Sequence, residues 1–140
     1  MTLQAWGFSF RGRLGRRDFW VWLVVWLVVM GAAFLAADRR WVEIQSAAFL
    51  IVFLLWPTSA VLVKRLHDRN RAGGWAFLLI LAWVLAAGNW QMLPSTASWA
   101  LGRLLPSVIF AMMLVECGFM PGTPDKNRFG PPAEPVRYRL

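Results

Sequence analysis

The densest group of side chains able to do chemistry is Lys64-Arg65-Leu66-His67-Asp68-Arg69-Asn70-Arg71, which holds four permanent cations, the single histidine and a carboxylate. Such a set can hold an anion, for instance a phospholipid headgroup, each cation beside an anionic surface contributing about 1 kcal/mol. It also reads as a basic loop that sets membrane topology, with Asp68 as a local counter-ion. If the preceding helix continues through Lys64, its cations sit at the negative end of the helix dipole and Lys64 can pair with Asp68. Two further groups share this character: Arg11, Arg13 and Arg16 ahead of the first apolar run, and Asn127 with Arg128 near the C-terminus. Glu116 stands apart as an acid within an apolar run, a position where carboxylates are functional candidates by default. It lies about 6 Å from the end of that run at 1.5 Å per residue. Pairing with Arg65, Arg69 or His67 is therefore expected ahead of a proton-relay role.

Several chemistries are excluded. One histidine, no Gly-x-Ser-x-Gly, no His-Glu-x-x-His and no glycine-rich phosphate loop leave no catalytic set. Cys117 is the only cysteine, so no internal disulfide and no CxxC metal or redox pair exists, and a buried inert thiol is expected. No cofactor or metal is called for. An enzyme acting on a membrane substrate would have to use His67 as general base, with Asp68 or Glu116 as its orienter. The formal charge of +8 would suit a polyanion, but membrane topology accounts for it without nucleic acid.

The elements that must position these groups are membrane helices. Hydrophobic residues make up 59% of the 140 positions and the mean hydropathy is +0.51, beyond the ~45 to 50% of soluble domains. Residues 19–37, 44–63, 75–93 and 104–120 form apolar runs of spanning length, the first three free of Asp, Glu, Lys and Arg. So small a soluble protein has too little interior to hide four such helices. The expected fold is an all-α membrane protein with four transmembrane helices over residues 19–120. An interfacial segment over 1–18 precedes them, its rings turned down and its guanidinium groups outward, and a Pro/Gly-rich tail follows over 121–140. Twelve of the 15 basic residues flank these runs on alternate sides, which sets both termini and the 64–74 loop in the cytoplasm.

Smaller features refine this outline. Arg16, Arg17 and Phe19 ahead of an apolar run look like a twin-arginine export signal, yet the run is too long and lacks an Ala-x-Ala site, so residues 19–37 are kept as the first helix. The short 38–43 link makes the first two helices an antiparallel hairpin. Trp20, Trp41, Trp75, Trp90 and Trp99 mark helix ends at the interfaces. Asp18 is expected to cap the first helix. Pro57 should bend the second, with Thr58 and Ser59 able to satisfy freed carbonyls.

Three blocks in order carry a family resemblance: Ser9-Phe10-Arg11-Gly12-Arg13-Leu14-Gly15-Arg16-Arg17-Asp18-Phe19-Trp20, then KRLHDRNRAGGW from Lys64 to Trp75, then Pro121-Gly122 with Asn127-Arg128-Phe129-Gly130-Pro131. They resemble the bacterial inner-membrane family known as domain of unknown function 805, from about residue 8 to residue 132. Two positions depart from its pattern: Ala72, where Ser is usual, and Gly74, where an aromatic is usual, so no role resting on that hydroxyl is carried over. The resemblance implies fold and inner-membrane location, but no activity, substrate or cofactor. All three blocks fall on one predicted face and are expected to meet as a basic cytoplasmic cap that binds anionic lipid, another anion or a protein partner. The alternative is a small transporter or channel. Its polar candidates, Ser46, Thr58, Asn89 and Gln91, lie mostly near helix ends, so a pore would require a homo-oligomer.

Overall fold

The computed structural model describes residues 1–139, and every regular element among them is helical. Apolar runs become helices because hydrocarbon offers no partner to an exposed N–H or C=O, and a helix bonds them all within the segment. A short helix α1 (Leu3–Phe8) is capped by Thr2, whose hydroxyl accepts from Ala5 N at 3.1 Å. Next come α2 (Arg16–Asp38) and α3 (Ile44–Asp68), joined as the expected hairpin. Helix α4 (Gly73–Ala87) opens with a 3₁₀ turn over Gly73–Ala76, and α5 (Ser95–Phe119) contains two π-turns. Helix α2 packs along α3 and α4 along α5, giving two hairpins that converge at the basic end.

Helices α2, α3 and α5 are long and apolar enough to cross a membrane. Only 17%, 17% and 22% of their apolar windows are buried, so side chains such as Val28, Phe34, Phe53 and Val108 face outward. A soluble fold does not leave so much continuous apolar surface in water. The fully enclosed residues Leu14, Val61, Leu66 and Cys117 gather at the basic end.

Three boundaries differ from the sequence reading. The third apolar run does not continue to 93, because α4 ends at Ala87 and Gly88 is extended. The Asn89 side chain then accepts from Gln91 N in a local turn, and Trp90 folds back to donate to Leu85 O at 2.8 Å. The hydropathy of Trp90, Met92 and Leu93 hid these turn formers. Helix α4 is thus a shorter apolar helix, below the length of the other three. Helix α5 begins at Ser95, nine residues before the expected start, because Arg103 is exposed and tolerated on its surface. Helix α3 runs on to Asp68, so most of the basic segment is helical; Asn70 then terminates it in the left-handed region at φ 57°.

Candidate functional site at the basic end

The site is built around the open end of α5. The last carbonyls of a helix have no intrahelical donor and carry its negative dipole end, and α5 ends in a π-turn over Val115–Phe119 closed by Met120 N on Val115 O. Side chains from α2 and α3 take up five in succession. Arg65 Nε donates to Cys117 O at 2.5 Å and its Nη2 to Met120 O at 2.6 Å. Trp20 Nε1 donates to Gly118 O at 2.8 Å, Arg16 to Phe119 O at 3.0 Å and Arg69 to Pro121 O at 2.7 Å. Cations on a helix C-terminus are favourable, and here they also knit α5 to its neighbours.

Asp68 joins this set to the N-terminal segment and the tail. Its carboxylate accepts from Arg65 Nη1 at 2.5 Å and from Arg13 Nε at 2.9 Å. The side chains of Arg65, Arg13 and Asp68 are only 0%, 1% and 7% exposed, so one buried carboxylate stands between two buried guanidinium groups. Main-chain carbonyls offset the excess positive charge: Arg13 also donates to Thr123, Asp125 and Gly130, and Arg65 to Leu14. The tail thus winds around Arg13. Gly122 has no substitute in that path, since a Cβ there would run into the Asp68 carboxylate.

Lys64, fully buried, donates to Ala5 O at 2.5 Å and Trp6 O at 2.6 Å and so docks α1. The expected Lys64–Asp68 pair does not form, because Asp68 is already engaged by Arg13 and Arg65. Glu116 accepts from Arg69 at 3.0 Å and Arg71 at 2.6 Å; the expected pairing with Arg69 holds, whereas Arg65 and His67 turn elsewhere. His67 Nδ1 faces Gly12 O at 3.1 Å, and a carbonyl there requires Nδ1 to carry the proton. Its ring stacks on Phe129 at 4.0 Å, and its own carbonyl accepts from Asn127 Nδ2 at 2.9 Å. Neither Asp68 nor Glu116 touches His67, whose orienting partner is the Gly12 carbonyl. Arg128 reaches Asn70 O at 3.0 Å from an exposed position, and Arg11 is exposed.

The three blocks therefore do meet. Their roles divide by depth: Arg13, Lys64, Arg65 and Asp68 are interior, His67, Arg69, Arg71 and Asn127 are half-buried, and Arg11, Arg16 and Arg128 lie on the surface. Two expectations are corrected. Within residues 1–18 Arg11, Arg16 and Arg17 are exposed, but Arg13 turns inward and is buried, as is Trp6. Asp18 does not cap α2; from its first turn it accepts from Val136 N at 3.2 Å and Tyr138 Oη at 2.5 Å. Burial, followed by Asp18, pushes the Tyr138 hydroxyl well above the ordinary tyrosine range. Sequence reading missed Asp18, Tyr138 and Trp20 as joints of this end. Asp18 was visible only as a carboxylate next to a helix start, a position that has a simpler explanation.

Long apolar helices fastened at one end by arginines on main-chain carbonyls define a small polytopic membrane protein with a polar clamp. The chain belongs to the family described as protein of unknown function (DUF805), whose model matches residues 7–131. It is 52% identical to uncharacterized protein YiiR of Escherichia coli K12 over 139 residues, covering 99% of this chain and 95% of that one. It is 27% identical to inner membrane protein YhaH of the same organism over 130 residues, covering 88% and 85%. No solved structure matches it. Three helices long and apolar enough to span, a shorter apolar helix beside them and this kinship make it an inner-membrane protein.

Proposed function

We propose that the chain is a non-enzymatic, multi-pass inner-membrane protein with both termini in the cytoplasm, and that its outer cations hold the anionic headgroups of the cytoplasmic leaflet. The division of its cations supports this reading. Arg13, Lys64 and Arg65 have donors committed to Asp68 and to main-chain carbonyls, so an incoming anion would have to break the clamp to reach them. Among the described residues, Arg11, Arg16, Arg17, Lys126, Arg128, Arg137 and Arg139 are exposed at the same end, against two exposed carboxylates, Asp125 and Glu134. A collar of this kind suits a negative lipid surface, at about 1 kcal/mol per cation. A pore within one protomer has little support, because Asn89 and Gln91 belong to the loop after α4 and Glu116 is neutralised by two arginines.

The reading is tested by native mass spectrometry of the detergent-solubilised chain, titrated with phosphatidylglycerol and phosphatidylcholine of identical acyl chains. The intact protein should retain more of the anionic lipid, and Arg11→Gln with Arg16→Gln and Arg128→Gln should erase most of that preference. Equal retention of the two lipids by the intact protein would rule the headgroup collar out.

A further inference from the structure

Beyond the clamp, residues 135–138 lie along the N-terminus and the first turn of α2, pinned there by hydrogen bonds. Met1 N donates to Pro135 O at 3.2 Å and Arg137 N to Met1 O at 2.9 Å. Val136 N and Tyr138 Oη both donate to the buried carboxylate of Asp18, at 3.2 and 2.5 Å. The Tyr138 ring also meets the Trp6 indole edge-on, with centroids 5.2 Å apart. These contacts make the segment a fixed wall of the structure.

That wall borders a cavity of about 750 Å³, lined among others by Thr2, Arg17, Arg137, Tyr138 and Arg139. The volume lies within the ~300 to 1,000 Å³ of small-ligand sites. All five residues are exposed, so their polar groups can be reached by an incoming molecule. The Arg17 guanidinium lies over the Tyr138 ring, 5.8 Å from its centroid. Arg137 and Arg139 flank that ring in the chain, their Cα atoms no more than ~7 Å apart. Three guanidinium groups thus border one space.

They border it uncompensated. Arg13 and Arg65 meet Asp68, Arg69 and Arg71 meet Glu116, and Arg16 holds a helix-end carbonyl. The guanidinium groups of Arg17, Arg137 and Arg139 have no carboxylate or carbonyl partner among the described residues. Of the carboxylates nearby, Asp18 gives its oxygens to Val136 and Tyr138, and Glu134 faces the Met1 ammonium at 3.8 Å. With Met1 set against Glu134, three cations against the single charge of Asp18 leave an excess of two. Like charges around one space repel, and a dianion placed among them relieves the repulsion.

The donors select the anion. A guanidinium presents a planar fork that matches phosphate oxygens two at a time. Thr2, whose oxygen accepts from Ala5 N, still has its own proton to donate. The Tyr138 hydroxyl is engaged by Asp18, so this residue serves as a platform for Arg17 and not as a donor to a ligand. A phosphate monoester carries about −1.5 to −2 near neutral pH, which matches the local excess. A diester phosphate carries a single negative charge and leaves part of it unmet. The rest of the volume accommodates the group to which the phosphate is esterified.

We propose that the cavity between the N-terminus, the first turn of α2 and the tail is a binding site for a phosphate monoester, held by Arg17, Arg137 and Arg139. It deepens the headgroup collar by naming the ligand of three of its cations, and it rests on that reading for its cytoplasmic setting. It adds a choice by phosphate charge that a preference for anionic over neutral lipid does not contain. The first turn of a spanning helix is within reach of the headgroup layer and of the cytosol, so the ester is either a lipid such as phosphatidic acid or a soluble molecule.

The full chain in detergent is titrated by native mass spectrometry with phosphatidic acid and with phosphatidylglycerol of identical acyl chains. Both lipids are anionic, so equal retention of phosphatidylglycerol and phosphatidylcholine in the earlier experiment sinks the collar without deciding this one. Phosphatidic acid should bind one to one and roughly tenfold more tightly, the low end of what an added hydrogen bond to a charged group supplies. Arg17→Gln with Arg137→Gln and Arg139→Gln should bring the ratio of the two affinities close to one. Arg11→Gln with Arg16→Gln and Arg128→Gln removes the same charge elsewhere at this end and should leave the ratio intact. Glycerol 3-phosphate is then added as a competitor: displacement of phosphatidic acid marks the soluble ester as the source, and retention marks the lipid, the phosphate occupying the cavity in both cases. Equal affinities of the intact chain for phosphatidic acid and phosphatidylglycerol would overturn the assignment, and that comparison needs no substitution. A ratio that survives the first triple substitution, or that collapses equally with the second, would overturn it as well.

Discussion

Asp68→Asn is the sharpest perturbation of the clamp, because it keeps the shape of the side chain and removes only its charge. In the folded chain that carboxylate is 7% exposed and faces Arg13 and Arg65, whose side chains are 1% and 0% exposed. Taking one partner from a buried ion pair leaves an uncompensated charge, typically at about 3–5 kcal/mol. The same guanidinium groups retain carbonyl partners at Cys117, Met120 and Asp125, which places the expected loss near the lower end of that range. At 1.36 kcal/mol per factor of ten, about 3 kcal/mol lowers the folded-to-unfolded ratio roughly a hundredfold. Reversible unfolding of the purified chain in mixed micelles with increasing SDS measures it directly. Glu116→Gln supplies the internal scale: its partners Arg69 and Arg71 are 20% and 42% exposed, so solvent screens that pair and about 1 kcal/mol is expected. Should Asp68→Asn destabilise no more than Glu116→Gln, the clamp would not be what holds this end together.

Gly122→Ala puts a methyl group against the Asp68 carboxylate and should lower the midpoint of the same SDS titration, whereas Gly12→Ala tests only the positive φ of 93° at an open position. Lys64→Met keeps the buried stem but removes the ammonium that holds the carbonyls of Ala5 and Trp6; α1 should undock, and trypsin should cut after Arg11 faster than in the intact chain. Tyr138 holds its proton more tightly folded than unfolded, so its contribution is complete below the ordinary tyrosine value of 10.0 and is lost as pH rises beyond it. The midpoint of thermal unfolding should therefore fall as pH rises past about 10 in the intact chain, and Tyr138→Phe should flatten that fall.

What the sequence makes legible follows from how local each cause is. The spanning character of residues 19–37 and 44–63 is written in uninterrupted apolar side chains, and α2 and α3 follow from it. The end of α4 was hidden because Trp90, Met92 and Leu93 keep the hydropathy high while Gly88 and Asn89 stop the helix. Arg103 misled in the opposite direction, since a long side chain on an exposed helix face can carry its charge away from the apolar layer. That three basic blocks share one end was readable from their alternation with the apolar runs. Which cations turn inward was not. Arg13 and Arg65 differ from Arg11 and Arg16 in what folding brings beside them: both reach Asp68, 55 residues from Arg13 and three from Arg65, and both are enclosed by carbonyls of the C-terminal segment, 52 to 117 residues away along the chain. That the indoles of Trp6 and Trp22 and the Thr58 hydroxyl are buried without a hydrogen-bond partner among the described residues was equally invisible, because an unmet hydrogen bond is a property of packing.

The account rests on one membrane face gathering the N-terminal segment, the end of α3 and the tail. Alkaline phosphatase, active only outside the cytoplasm, can be fused in turn after Asn70, after Met92 and after Arg139, with expression levels matched. The predicted result is activity at Met92 alone. Activity at Asn70 or at Arg139 would separate groups that the clamp requires to be together.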